Sequence, residues 1–289
     1  MKRIFVAVCV LSTVAASPAA AQVPADTSWG GGELAPKPPG RGFPGRAGDA
    51  NVSVRTSADG TAVTSGAAVL FARRGGTCQT IGFGTVPINP DGTFSITDRR
   101  TMRGTRERTV VTITGRIEGS RVTGEVAGSM RSRRGRPICS GRTTFTSIAV
   151  PPLPADQPAP PPAGGTLRGI VEGEAAAPFD IVMRLTPDGR AIERLNMTTP
   201  WRCGPGYGDL VFYETGGPIR ADGTFRIVNR YRFRNRGTIL RGAVTIAGRF
   251  VSGGVVGTVR ATSVLRSRKG RRRVIGRCSS GTRAFRAAI

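Results

Sequence analysis

Histidine is absent from all 289 residues. Without an imidazole there is no Ser-His-Asp or Cys-His relay, and no zinc site with histidine ligands. Acids are scarce too, with 18 Asp and Glu against 43 Lys and Arg. The only long apolar run is Ile4 to Ala16, 13 residues, where a helix needs about 20 to cross a bilayer. No membrane span is expected. That run follows Met1-Lys2-Arg3 and leads to Ala19-Ala20-Ala21, the layout of a secretory signal peptide over residues 1–21. Cleavage near Ala21 would leave a secreted or periplasmic protein. Helical periodicity is missing as well: no amphipathic stretch reaches three turns.

The positive excess is therefore the dominant feature, a formal net charge of +25. Forty of the 43 cations are Arg. A genome favouring Arg codons accounts for Arg over Lys, but not for the shortage of acids. A field of this sign attracts acidic polysaccharide, nucleic acid or another polyanion. Beyond Cys9 in the apolar run, four cysteines remain: Cys78, Cys139, Cys203 and Cys278. None has C-x-x-C spacing, and an even number in an exported chain points to disulfides.

The chain repeats itself. "PINPDGTFSI" from Pro87 and "PIRADGTFRI" from Pro218 share seven of ten residues, 131 apart. "VTITGRIEGSRVTGEV" from Val111 answers "VTIAGRFVSGGVVGTV" from Val244, and "RSRRGR" at Arg131 answers "RSRKGR" at Arg266. "CSGRTTF" at Cys139 answers "CSSGTRAF" at Cys278, and Cys78 is aligned with Cys203. This is a tandem duplication, with copies at 51–149 and 166–289. Between them, residues 150–165 carry seven prolines in sixteen positions, the composition of a semi-rigid spacer. Residues 22–50 are rich in Gly and Pro and are expected to be a disordered arm. Each copy has one early and one late cysteine. Cys78–Cys139 and Cys203–Cys278 are the expected pairs among three connectivities.

Apolar periodicity is two. Phe94 and Ile96 alternate with Thr93 and Ser95, and Phe225, Ile227, Tyr231 and Phe233 alternate with Arg226, Arg230, Arg232 and Arg234. Asp-Gly at Asp59, Asp91, Asp188 and Asp222 marks hairpin turns. The fold class is all-β: two tandem antiparallel sandwich or barrel domains of six to eight strands, joined by the Pro-rich linker. In a meander, alternate turns share an end. The loops holding Arg99, Arg100, Arg103 and Arg106, and then Arg131, Arg133, Arg134 and Arg136, should gather at one pole. In the second copy Arg230, Arg232, Arg234 and Arg236 should join Arg266, Arg268, Lys269, Arg271, Arg272 and Arg273. Arg forks meet phosphate or carboxylate bidentately, so each pole is a candidate polyanion-binding tip.

Other chemistry is thin. G-x-S-x-G and the phosphate-cradling Gly-x-x-x-x-Gly-Lys are absent. Glu118 and Glu125 flank one hairpin, but Val251 and Thr258 stand there in the second copy. Asp209 and Glu214 are five apart, an odd spacing that puts them on opposite faces of a straight strand. The "NPDG" turn lacks a third acid for calcium. No cofactor or metal is implied. The second copy alone carries "WRCGPGYGDLVFYETGG", where Trp201, Tyr207 and Tyr213 form a candidate ligand platform.

The order Cys, D-G-x-F, G-x-x-x-x-G-x-V, then Cys followed by an aromatic resembles a two-cysteine β-domain of exported bacterial proteins. The resemblance covers both copies and implies no activity. The reading is a non-enzymatic secreted protein that engages acidic polymers, a cell-envelope glycan or nucleic acid, through Arg-rich loops. Two alternatives stand beside it: a structural or surface-display module, and a carboxylate-dependent hydrolase using Asp209 and Glu214.

Overall fold

A computed structural model describes residues 22–35, 48–71, 77–81, 83–101, 106–172, 179–203, 206–235, 238–267 and 273–289. The first sheet holds β1 (Ser28–Glu33), β2 (Ala50–Thr56), β3 (Ala62–Phe71), β4 (Thr77–Ile81), β5 (Val86–Pro87), β6 (Thr93–Thr101), β7 (Arg108–Glu118), β8 (Arg121–Arg131) and β9 (Pro137–Ile148). The second holds β10 (Thr166–Val171), β11 (Phe179–Leu185), β12 (Ala191–Cys203), β13 (Gly206–Pro218), β14 (Thr224–Asn235), β15 (Thr238–Val251), β16 (Gly254–Ser267) and β17 (Val274–Ala288). Most neighbours in sequence pair, β5 joining β3 instead, and the last strand of each sheet pairs with its first. Both are antiparallel meanders, one nearly closing into a barrel and the other closed.

The repeated decapeptide explains itself in this frame. Gly92 and Gly223 have φ of 82° and 76°, which glycine adopts without strain. Asp91 Oδ1 accepts from the Thr93 amide and hydroxyl at 3.1 and 2.7 Å. Asp222 does the same for Thr224 at 2.9 and 2.7 Å. The next residue turns inward over a glycine of the adjoining strand: a Cβ on Gly115 or Gly248 would come within 2.7 Å of the Phe94 or Phe225 ring. Turn, register and ring-over-glycine contact are specified in four letters. Inside the barrels Val, Ile and Phe alternate inward, as Val111, Ile113 and Ile117 do on β7, while Arg226, Arg230 and Arg260 face out. A lipid-facing barrel has the reverse arrangement. Among the described residues no helix is long and apolar enough to cross a membrane.

The expected cysteine pairs form, Cys78–Cys139 and Cys203–Cys278, with Cα separations of 5.7 and 4.1 Å. Closing loops of 61 and 75 residues stabilises by roughly 4 kcal/mol each on loop-closure entropy. Their placement corrects the alignment. Cys78 lies on the fourth strand of its copy and spans the interior to β9, whereas Cys203 lies on the third strand and faces Cys278 in register.

One further expectation fails. Residues 22–50 are not wholly a disordered arm: β1 pairs with both β2 and β9, and Trp29 is fully buried in the first core. The first copy begins there, with β1 equivalent to β10. The Pro-rich stretch 150–165 joins the two copies and is itself anchored. It straps one end of the second barrel, with Ala159 N donating to Phe250 O at 3.2 Å, Ser252 N to Gln157 O at 3.0 Å and Gly164 N to Thr186 O at 3.0 Å.

The barrels pack directly on each other, and the seam is polar. Backbone at Gly30 meets backbone at Gly169, an approach that leaves no room for a side chain. Arg168 Nε donates to Gly32 O at 3.1 Å, and Arg184 donates to Leu34 O. Arg194 donates to Ala35 O at 2.6 Å and to Asp49 Oδ2 at 2.5 Å. Asn51 donates to Asp180, whose amide donates to Thr198 Oγ1 at 2.9 Å. Burial pushes the Arg168 guanidinium pKa down, against the pull of Glu33. β1 thus packs against β10 and β11, and the residues that follow it reach Arg184 and Arg194 of β11 and β12.

Candidate polyanion interface

Strand register decides where the cations go. In the first barrel Thr101 faces Arg108, Arg108 faces Arg131, and Arg131 faces Pro137. The connections 102–107 and 132–136 therefore share an end, while the Glu118–Arg121 turn lies at the other beside Asp91. In the second barrel Asn235 faces Thr238 and Thr238 faces Ser267, with Val251–Gly254 opposite. In both copies the strand ends that flank the expected Arg-rich connections lie at the same end of the sheet.

Within these poles Arg99, Arg100, Arg106, Arg131, Arg133, Arg134, Arg136, Arg230, Arg232, Arg266 and Arg273 are exposed. Arg103, Arg236, Arg268, Lys269, Arg271 and Arg272 lie outside the described residues; Arg234 holds a backbone position opposite Ile239. The 132–136 turn is ordered by its own bonds. Ser132 N donates to Arg136 O at 2.8 Å, Gly135 N to Ser132 O at 2.9 Å, and Arg136 N to Ser132 Oγ at 3.1 Å. Arg133 and Arg134 project from a fixed tip.

Register also reveals members the sequence did not single out. Arg108 lies directly opposite Arg131, and Arg232 opposite Arg241. Like charges facing each other across a strand pair are destabilising, and both copies carry the arrangement at the same end. Only pairing information exposes it. Among the described residues near this end, Arg100 Nε lies 2.7 Å from Asp98 and Arg142 Nε 3.2 Å from Glu125; such exposed pairs are worth under about 1 kcal/mol.

The Asp-Gly turns lie at the opposite ends, beside arginines of their own: Arg116 near Asp91, Arg190 near Asp188, and Arg220 and Arg249 near Asp222. Asp59, Asp91, Asp188 and Asp222 each accept hydrogen bonds within their own turns. Those bonds, the Ser57 hydroxyl's above all, pull the Asp59 pKa down to about 2, and the other three are lowered similarly in direction. Asn89 Nδ2 bonds Thr93 Oγ1 at 2.8 Å, so the "NPDG" oxygens serve the turn. Glu118 sits 3.2 Å from Arg116 Nε. Asp209 faces Pro200 and Glu214 faces Leu195, on alternating rows. The aromatic trio does not share a row either. Tyr207 faces Arg202 and Tyr213 faces Asn196, whereas half-buried Trp201 belongs to the alternate row facing Gly208.

No family model matches the chain, and neither a curated protein nor a solved structure does.

Proposed function

We propose that the protein is a secreted, non-enzymatic binder of acidic polysaccharide, docking through the Arg-rich end of each barrel. The observation that carries this is the register: in both copies the strand ends that flank the Arg-rich connections lie together, at the end away from the Asp-Gly turns. Facing guanidinium pairs such as Arg108 and Arg131 are a cost to folding that a bridging anion relieves. The disulfides fit an oxidising compartment, and the signal-like leader carries the chain there.

Attraction of this kind is long-ranged and weakened by salt, with a Debye length of about 8 Å at physiological ionic strength. Two basic ends in one molecule can engage two stretches of polymer, which raises avidity through effective concentration. The test is surface-immobilised polygalacturonate, with duplex DNA as the comparison. Replacing Arg131, Arg133, Arg134 and Arg136 together with Ser should reduce both affinity and its salt slope. Binding that ignores these four residues would refute the assignment.

A further inference from the structure

The duplication sets two disulfides side by side in one chain, and they are not equivalent. Cys78 and Cys139 are 0% and 2% exposed and belong to the first core. The backbone of β8 covers them: a Cβ added to Gly128 would come within 3.2 Å of Cys78 Sγ. In the second barrel the bridge stands at a strand end. Cys203 is the last residue of β12 and is exposed, while its partner Cys278 is 6% exposed. A thiol in solution therefore meets Cys203 first, and it meets neither cysteine of the first bridge.

The second bridge also clasps its barrel. β10 stops at Val171, opposite Phe285. Beyond it β12 meets β17 in two facing pairs, Arg202 with Ser279 and Cys203 with Cys278. Charge differs between the bridges as well. Cys203 and Cys278 each follow an exposed arginine, Arg202 and Arg277, whereas Cys78 and Cys139 follow Thr77 and Ile138. Successive side chains of a strand take opposite faces, so these guanidinium groups point away from the sulfurs and act through their field alone. The outer row continues around the wall, Arg277 facing Val264, Val264 facing Arg241 and Arg241 facing Arg232. Cations near a sulfur stabilise the thiolate it becomes, and a leaving thiolate so stabilised departs faster. The same field concentrates anionic thiols.

We infer that the Cys203–Cys278 bridge is a thiol-exchange site for small anionic thiols, while Cys78–Cys139 is a structural staple. The incoming thiolate attacks Cys203 Sγ and forms a mixed disulfide there. The Cys203–Cys278 bond breaks, and its electron pair leaves on Cys278 as a thiolate. A second thiolate attacks the small-molecule sulfur of the mixed disulfide. That step releases the small thiol as its own disulfide and Cys203 as a thiolate, and both cysteines take protons from solvent. Two small thiols are oxidised and one protein bridge is reduced, a two-electron exchange. Opening the bridge frees the end of β12 from β17 and loosens the second barrel there, with the first barrel untouched. This site goes beyond polymer docking and does not depend on it.

The experiment incubates the intact, folded protein with reduced glutathione, stops the exchange by alkylation and reads each cysteine by peptide mass spectrometry. Cys203–Cys278 should open at least about tenfold faster than Cys78–Cys139, with glutathione carried on Cys203 in the intermediate. The exposed double variant Arg202→Ser with Arg277→Ser should melt with the parent and open at least about threefold more slowly. Arg202→Lys with Arg277→Lys keeps the charge and should keep the rate. Added salt should slow the parent towards the serine variant, a readout that needs no substitution. Equal rates for the two bridges, opening only on global unfolding, or glutathione carried on Cys278 overturns the site. A parental rate that ignores salt, or a folded serine variant as fast as the parent, overturns the activation by arginine.

Discussion

Consider Arg194→Ala. The guanidinium is 6% exposed, its partner Asp49 is fully buried, and they meet at 2.5 Å. The same side chain donates to Ala35 O at 2.6 Å. Truncation leaves a carboxylate at the seam with its main counter-charge gone and a carbonyl short of a donor. Breaking a buried pair from one side costs about 3–5 kcal/mol, and at about 2–4 °C per kcal/mol for a domain of 150–250 residues the melting temperature should fall by roughly 6–20 °C. Calorimetry is the assay of choice because it also reports coupling. The parent should unfold in one cooperative transition, since β1 is shared between the first sheet and the seam. The variant should broaden or split, with the barrels melting separately. Arg194→Met combined with Asp49→Asn removes both charges and should recover much of the loss, because replacing both partners of a buried pair is often near neutral. A variant within about 0.5 kcal/mol of the parent, the size of an ordinary surface substitution, with its single transition kept, would refute the claim that this contact holds the barrels together.

Trp29→Ala should destabilise the first barrel by about 3–5 kcal/mol as a buried aromatic truncation, read by denaturant melts; a silent change would return residues 22–35 to a free arm. Reducing the disulfides should cost roughly 4 kcal/mol apiece, and Cys203→Ser with Cys278→Ser should lower hydrogen-exchange protection most in the second barrel. Acid should weaken the four Asp-Gly turns. Their folded pKa values lie below the unfolded value of about 3.9, so their contribution is complete above that value and is lost as pH falls through the folded pKa, about 2 for Asp59. A carboxyl titration by NMR that gives Asp59 an unperturbed midpoint would contradict the turn geometry.

Much of this architecture is legible from residues alone, for local reasons. Asp-Gly turns and period-two alternation are short-range signals, and a meander follows once each hairpin is closed by its own turn. The cation poles follow from parity. β1 stayed hidden because "SWGGGE" has a single large apolar residue; its glycines serve close packing against Gly169 and Arg168, a contact 136 to 139 residues away. Asp49, Asp180 and Arg194 look like surface residues in sequence and are buried only because two barrels meet. The Cys203 strand shift is an offset that alignment of letters cannot resolve.

The claim that everything functional depends on is that the basic ends dock on polyanions, and the salt dependence of polygalacturonate affinity tests it most directly. Measured from 50 to 200 mM salt, the dissociation constant should rise steeply, log-linearly with salt as counterion release requires, and the slope should flatten when Arg131, Arg133, Arg134 and Arg136 become Ser. An affinity that is undetectable at the lowest salt, or that holds level across the range in parent and variant alike, would contradict it.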